Sequence, residues 1–421
     1  MRTVPEPAHE LVPQLLLSQQ PRALPVHWRI VALAQFGWLG AFSTLMVTLL
    51  NAQYWSVELH LDTGATAAVK AWLLGMSGAG GFLFGWIGDL TGRKPAMACA
   101  ALVGAVGAVL FAAAQSEAEL VRAAIVAGIG IGGQWAAGQT LLGETVPAHL
   151  RQRLGALAQS GAPVGLIVSA LITVFFSPPD SLGWRGTQLL LLVSLLLLPA
   201  LACVPESDVW RAARRRKSDH SLVLGLLAPK VLPLFLVAFL VTLFAMANYW
   251  CTVTWLPEFM RKSWGLSVPG SIGWFLAFGG GSLLGYLLFS LVAARIGRRA
   301  AMSIFCLIMA SGAGLLLFAQ EHVREHQWLV LVFAGVAGIG TGVWSCFGPL
   351  YTELFPTHLR NTAGGVLMNG TRAINLLAPL LPPLFGGNLG AGVAIGGVFG
   401  VLCAAAAWLL PGRSGTVVQA D

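Results

Sequence analysis

Long apolar runs separated by short polar breaks fill the chain from about residue 30 to about residue 410. Each run holds roughly 20 residues, the length an α-helix needs to cross a hydrocarbon core of about 30 Å. The runs fall near 30–50, 66–88, 95–114, 120–142, 155–176, 187–204, 231–256, 270–292, 300–319, 327–350, 362–385 and 389–410, which makes twelve spans. In lipid a backbone must satisfy its own polar groups, so runs of this length are predicted as helices. The expected fold is therefore an all-α integral membrane protein with twelve transmembrane helices.

Composition supports that reading. Of 421 residues, 56% are hydrophobic and only 10% charged, too little polar side chain to cover a soluble globule. A net charge of +8 raises the question of nucleic acid, but such a binder gathers its basic residues on one solvated face. Here they sort by membrane side. With both termini cytoplasmic, 18 of the 25 Lys and Arg lie on the cytoplasmic side and six, Lys70 among them, on the other, while Arg372 falls inside a span. The positive-inside rule then predicts a multi-pass protein of the cytoplasmic (inner) membrane with both termini inside, with the lipid bilayer as partner and no nucleic acid. All six cysteines fall within spans without CxxC pairing, so no disulfide framework, metal site or cofactor is expected. Residues 1–27 lack the apolar core of a signal peptide and read as a cytoplasmic tail.

The chain also repeats itself. Glu144-Thr-Val-Pro147-Ala-His149-Leu150-Arg151 returns as Glu353-Leu-Phe-Pro356-Thr-His358-Leu359-Arg360, at an offset of 209. Gly128-Ile129-Gly130 returns as Gly338-Ile339-Gly340 at 210, and Gly92-Arg93-Lys94 as Gly297-Arg298-Arg299 at 205. These matches divide the chain into a six-helix half (1–204), a hydrophilic linker (205–230) and a second six-helix half (231–421). Two such halves around an axis along the membrane normal are a transporter architecture, with the solute site between them near the midplane.

Between spans 2 and 3 stands Gly85-Trp-Ile-Gly88-Asp89-Leu-Thr-Gly92-Arg93-Lys94. It resembles the G-x-x-x-D-x-x-G-R-K loop of the major facilitator superfamily. In that family the Asp and Arg latch the halves on the cytoplasmic side when the carrier faces outward. The resemblance implies a cytoplasmic gate built from Gly85, Asp89, Gly92, Arg93 and Lys94, with Glu144 and Arg151 as partners and Arg298, Glu353 and Arg360 as second-half counterparts. The second copy has Ala294 where the Asp would stand. Pro205-Glu206-Ser207 with Trp210, and Thr254-Trp255-Leu256-Pro257-Glu258-Phe259, are similar to segments of the sugar porters and of the organic-acid and metabolite:proton symporters. This implies a secondary active transporter of a small organic solute, an organic acid first, by alternating access with proton symport.

The intramembrane chemistry qualifies that expectation. Span 1 carries no carboxylate after Gly37-Trp38, span 4 has Gln134 where a Glu often follows the glycine run, and every Asp and Glu reads as a loop or span-end residue. A coupling proton needs a buried group whose pKa can move, so an uncoupled facilitator or exchanger of a metabolite or sugar stands as the alternative, and a transporter-like solute receptor as another. Arg372 stands out. A guanidinium near the bilayer centre costs at least ~2.5–3.5 kcal/mol and persists only beside a cavity, partner or ligand. It is read as the anchor for a substrate carboxylate, against the plainer reading of an Arg bonded to helix-end carbonyls. Gln134, Trp38, Asn248, Tyr249, Trp250, Trp344 and Asn375 are the further substrate-binding candidates. With no nucleophile–base pair, metal cluster or phosphate loop in the sequence, an enzyme is not expected.

Overall fold

The computed structural model describes residues 24–215, 225–265, 268–318, 322, 326, 328–355, 359–386 and 388–411. Eleven of the described helices are long and apolar enough to cross a membrane. In the first half these are α1 (Trp28–Leu50), α2 (Thr63–Thr91), α3 (Arg93–Ala113), α4 (Glu117–Thr145), α5 (Leu154–Phe176) and α6 (Gly183–Ala202). In the second they are α7 (Leu232–Met260), α8 (Gly273–Ile296), α9 (Arg298–Phe318), α10 (Trp328–Gly348) and, after the segment α11 (360–384), α12 (Leu389–Leu409). Large apolar side chains such as Phe175, Leu287, Phe318 and Trp408 point outward, as a lipid-facing surface requires.

Local chemistry sets the helix ends. Asp62 caps α2 by accepting the Ala65 N–H at 2.7 Å, and Ser116 caps α4 ahead of Glu117 and Glu119 in its first turn. Between α2 and α3 a single residue makes the turn. Gly92 has φ of 112°, a conformation an L side chain resists, and it lets α3 begin at Arg93.

Segment α11 departs from the uninterrupted span expected over 362–385. Short α turns at Arg360–Gly365, Thr371–Ile374 and Leu381–Leu384 alternate with a π turn at Val366–Gly370 and a 3-10 stretch at Asn375–Leu380. Pro379, Pro382 and Pro383 have no N–H to give to the helical ladder, and their rings crowd the turn before them. Pro382 therefore gives nothing to the Ala378 carbonyl, which receives the Trp255 indole N–H at 3.1 Å. One face of this irregular backbone, with Thr371, Arg372, Asn375, Ala378, Pro379 and Pro382, is buried against protein, where neighbouring groups can satisfy its freed backbone atoms.

The sequence repeat reappears in packing: α2 and α3 lie on α4 in the first half as α8 and α9 lie on α10 in the second. The halves meet where α2 runs along α11 and where α5 runs along α8. Close approach decides the first of these seams. A Cβ on Gly78 would overlap backbone atoms of Asn369 and Ala373, so α2 reaches α11 only with glycine there.

Two charged residues sit differently from their sequence reading. Lys70, expected as a charge at the non-cytoplasmic end of its span, lies about two turns inside α2 and is 3% exposed. Glu258, expected at a span end, is carried in a helix that continues to Trp264 and is 18% exposed. Each is tolerated at depth because the two form an ion pair.

Candidate functional site

A cavity lies between the halves, lined from both. The first half contributes Trp38, Phe42, Ser77 and Gln159, and the second Tyr249, Trp250, Tyr286, Trp344 and Arg372. Its wall is mostly apolar, aromatic and aliphatic, with a few polar groups, the usual make-up of a small-molecule site. Tyr249 holds the second-half wall together, with its ring edge-on to Trp250 at 5.1 Å and to Trp344 at 6.1 Å.

Arg372 crosses from the second half toward two indoles of the first. Its guanidinium carbon stands 5.5 Å from the ring centroids of both Trp38 and Trp135. These cation–π contacts offset part of the cost of burying the charge, but they accept no N–H bonds in the guanidinium plane. The side chain is 5% exposed, and among the described residues no carboxylate pairs with it and its Nη1 has no hydrogen-bond partner. The indole Nε1 of Trp38, which also lines the cavity, is likewise buried without a hydrogen-bond partner among the described residues. Two buried donors without acceptors suit a carboxylate, whose two oxygens accept several bonds each.

Not every sequence candidate reaches this cavity. Trp38, Tyr249, Trp250, Trp344 and Arg372 line it, whereas Gln134, Asn248 and Asn375 do not. Gln134 faces α3 and donates to the Met97 carbonyl at 2.6 Å. Asn248 turns toward α9, where the nearest acceptor is the Cys306 carbonyl at 3.5 Å, and Asn375 donates to its own helix at Thr371 at 2.9 Å. Gln159 and Tyr286, outside the candidate set, line it instead, and Trp135 stands behind them. Trp135 is fixed by its indole N–H to Gln159 Oε1 at 3.0 Å, and Gln159 bonds in turn to Tyr286 of the other half. A Trp and a Gln 24 residues apart carry no local signal of that pairing.

At the Gly92 end of the bundle the expected gate residues form a compact cluster. Arg93 donates from Nε to Glu144 Oε2 at 3.1 Å, from Nη2 to Glu144 Oε1 at 2.8 Å, and from Nη1 to Asp89 Oδ1 at 2.5 Å. Lys94 gives its ammonium to the Val204 carbonyl at 2.7 Å and its backbone N–H to Glu206 Oε2 at 3.0 Å, placing that carboxylate at the positive start of α3. The Trp210 indole donates to the Asp89 carbonyl at 2.8 Å. The Pro-Glu-Ser segment after α6 thus clamps the loop between α2 and α3, a role its sequence position did not disclose. A Cβ added to Gly85 would meet no neighbouring element within 4 Å, and Arg298 begins α9 as Arg93 begins α3. The side chains of Arg151, Glu353 and Arg360 lie outside the described residues.

A paired-bundle membrane fold with a polar-and-aromatic cavity between its halves defines the chain as a membrane transporter. It belongs to the major facilitator superfamily: residues 28–229 match the family model for "Sugar (and other) transporter" and residues 238–418 the model for "Major Facilitator Superfamily". The sialic acid transporter NanX of Escherichia coli is 28% identical over 75% of this chain and 76% of its own. The cis,cis-muconate transport protein of Acinetobacter baylyi is 25% identical over 92% of this chain and 95% of its own. In fold the chain resembles the crystal structure of a D-xylose–proton symporter, with a TM-score of 0.73 at 20% identity over 93% of this chain and 100% of that one.

Proposed function

We propose that this transporter carries a small organic carboxylate across the cytoplasmic membrane by alternating access, with both termini and the Arg93 cluster on the cytoplasmic side. The observation that carries the reading is Arg372, a buried cation in the cavity wall whose Nη1 lacks a hydrogen-bond acceptor among the described residues. A substrate carboxylate supplies two acceptors and the compensating charge, and the Trp38 N–H supplies a further donor. The second-half aromatics of the cavity wall, Tyr249, Trp250 and Trp344, pack the apolar body of the solute. The sialic acid and cis,cis-muconate named for two of the relatives are both carboxylic acids.

Proton symport accompanies transport in this proposal, as the name of the D-xylose–proton symporter states for that protein. A second reading has its own observation. Among the described residues no Asp, Glu or His lines the cavity, which favours uncoupled facilitation or exchange unless the substrate brings its own proton.

The deciding experiment reconstitutes the protein in liposomes and measures uptake of labelled organic acids and sugars with and without an inward proton gradient, for wild type and Arg372→Ala. Acid uptake that rises with the gradient and is lost in the variant supports anchored symport. Gradient-independent acid uptake supports a facilitator, and full acid uptake by the variant overturns the carboxylate anchor.

A further inference from the structure

A second cavity lies within the first half, between α1, α3, α4 and α6. Small side chains make the room for it: Ala101, Gly104 and Ala105 line it from α3, and Gly37 and Ala41 from α1. On α6 a 3-10 stretch at Leu191–Leu196 eclipses residues three apart, so Leu191, Ser194 and Leu197 all border the same space. Of the lining residues only Gly104, Ala105 and Ser194 are half-buried, and the rest are buried. All three belong to α3 and α6, whose Val106 and Val193 point outward. The cavity therefore opens between those two helices, toward lipid.

One polar atom inside it lacks a partner. Gln134 of α4 is 5% exposed, and its Oε1 is buried with no hydrogen bond among the described residues. The other end of the amide fixes which way it points. Nε2 donates to the Met97 carbonyl at 2.6 Å, and exchanging the two ends would set oxygen against oxygen. Oε1 consequently faces Gly37, where a Cβ would stand 3.1 Å away, so the glycine leaves this acceptor open to the cavity.

We propose that this cavity is a lipid-side binding site, separate from the solute cavity, for an uncharged aliphatic alcohol dissolved in the membrane, whose hydroxyl donates to Gln134 Oε1. The lining sets that chemistry. An amide oxygen only accepts, so the polar atom of the ligand is a donor. Thr44 gives its own hydroxyl proton to the Gly40 carbonyl at 3.0 Å and so presents lone pairs to the cavity as well. No charged side chain lines the space, and an ionised ligand would sit there uncompensated at membrane depth. The glycines and alanines of α1 and α3 admit a slender alkyl chain, which gains by leaving water for an apolar wall.

Ile131 connects the site to transport. It lines both this cavity and the solute cavity, and so forms part of the partition between them. An occupant on one side restricts the rotamers open to Ile131 on the other.

The test uses the full chain in lipid nanodiscs with a diazirine-bearing octanol as photolabel, and mass spectrometry identifies the labelled residues. Labelling should concentrate on the α3 and α6 residues of the mouth, and excess octanol should suppress it about fivefold more than excess octane, the difference a single hydrogen bond makes. Gln134→Leu keeps the bulk, removes the acceptor, and should lower labelling there about fivefold. Ala105→Phe fills the mouth, leaves the bond between Gln134 and Met97 in place, and should abolish labelling. Arg372→Ala should label as the wild type does. Even labelling of the whole lipid-facing surface, or equal competition by octane, overturns the alcohol site. Unchanged labelling in Gln134→Leu overturns the role of Oε1, and loss of labelling in Arg372→Ala overturns the site by placing the alcohol in the solute cavity. The comparison of octanol with octane needs no substitution, so a variant that fails to fold leaves the test intact. Nothing in it depends on acid uptake, so this proposal and the carboxylate anchor fail separately.

Discussion

Arg93 and Glu144 meet through two parallel hydrogen bonds of 3.1 and 2.8 Å, and each side chain is 8% exposed. The third contact of the same guanidinium goes to Asp89, whose side chain is 70% exposed. One cation thus has a buried partner and a solvated one, and the two are not equivalent. Glu144→Ala leaves a buried guanidinium short of charge and should destabilise the protein by ~3–5 kcal/mol, whereas Asp89→Asn should cost about 0–1 kcal/mol. Unfolding midpoints of the two variants in the same detergent check the ranking, and equal midpoints would contradict it.

Arg372 provides a sharper contrast between charge and shape. Arg372→Lys keeps the positive charge but loses the planar fork and the contact with two indoles, and the KM for an acidic substrate should rise about tenfold. Arg372→Ala should cost acid uptake about 100-fold or more, since a lost charge-assisted pair is worth roughly twice a neutral hydrogen bond or more. Uptake kinetics of a charged acid and its uncharged amide check this. Equal losses for both would count against a carboxylate at this site.

Trp38 contributes a donor as well as a ring. Trp38→Phe retains the aromatic face beside Arg372 and removes only Nε1–H, so affinity for the acid should fall by about fivefold, near the ~1 kcal/mol of a single hydrogen bond. Equilibrium binding by scintillation proximity measures that step without the complication of turnover.

The seam between α2 and α11 has no room for a side chain at Gly78. Gly78→Leu should push the two segments apart and abolish uptake, with Gly78→Ala intermediate, because the atoms it meets are backbone and cannot rotate aside. Transport at normal expression levels in Gly78→Leu would show that α11 yields more easily than its close fit implies.

Much of this fold was legible because lipid imposes length. Apolar runs of fixed extent marked the spans, and glycine-rich repeats marked the halves, since each reflects a constraint acting along the chain. The α2–α3 loop was legible for a similar reason: Gly92 must turn, and Asp89 and Arg93 stand four residues apart on neighbouring turns. Rotation about each helix axis was not legible. Gln134 and Trp135 are adjacent in sequence, yet one bonds to Met97 and the other faces Arg372. Lys70 and Glu258 each read as an ordinary span-end charge, because nothing in residue order says that α2 and α7 bring them together. The breaks in α11 follow from prolines that were plainly present, but a hydropathy run does not reveal how a backbone redistributes its hydrogen bonds around them.

The π turn at Val366–Gly370 ends one residue before the four-residue helix that carries Arg372. A π turn holds more residues per turn than its flanks, so everything beyond it is rotated about the helix axis relative to an unbroken α-helix. Arg372, the second residue after that turn, owes its bearing toward the two indoles of the first half to this surplus residue as well as to its own side chain.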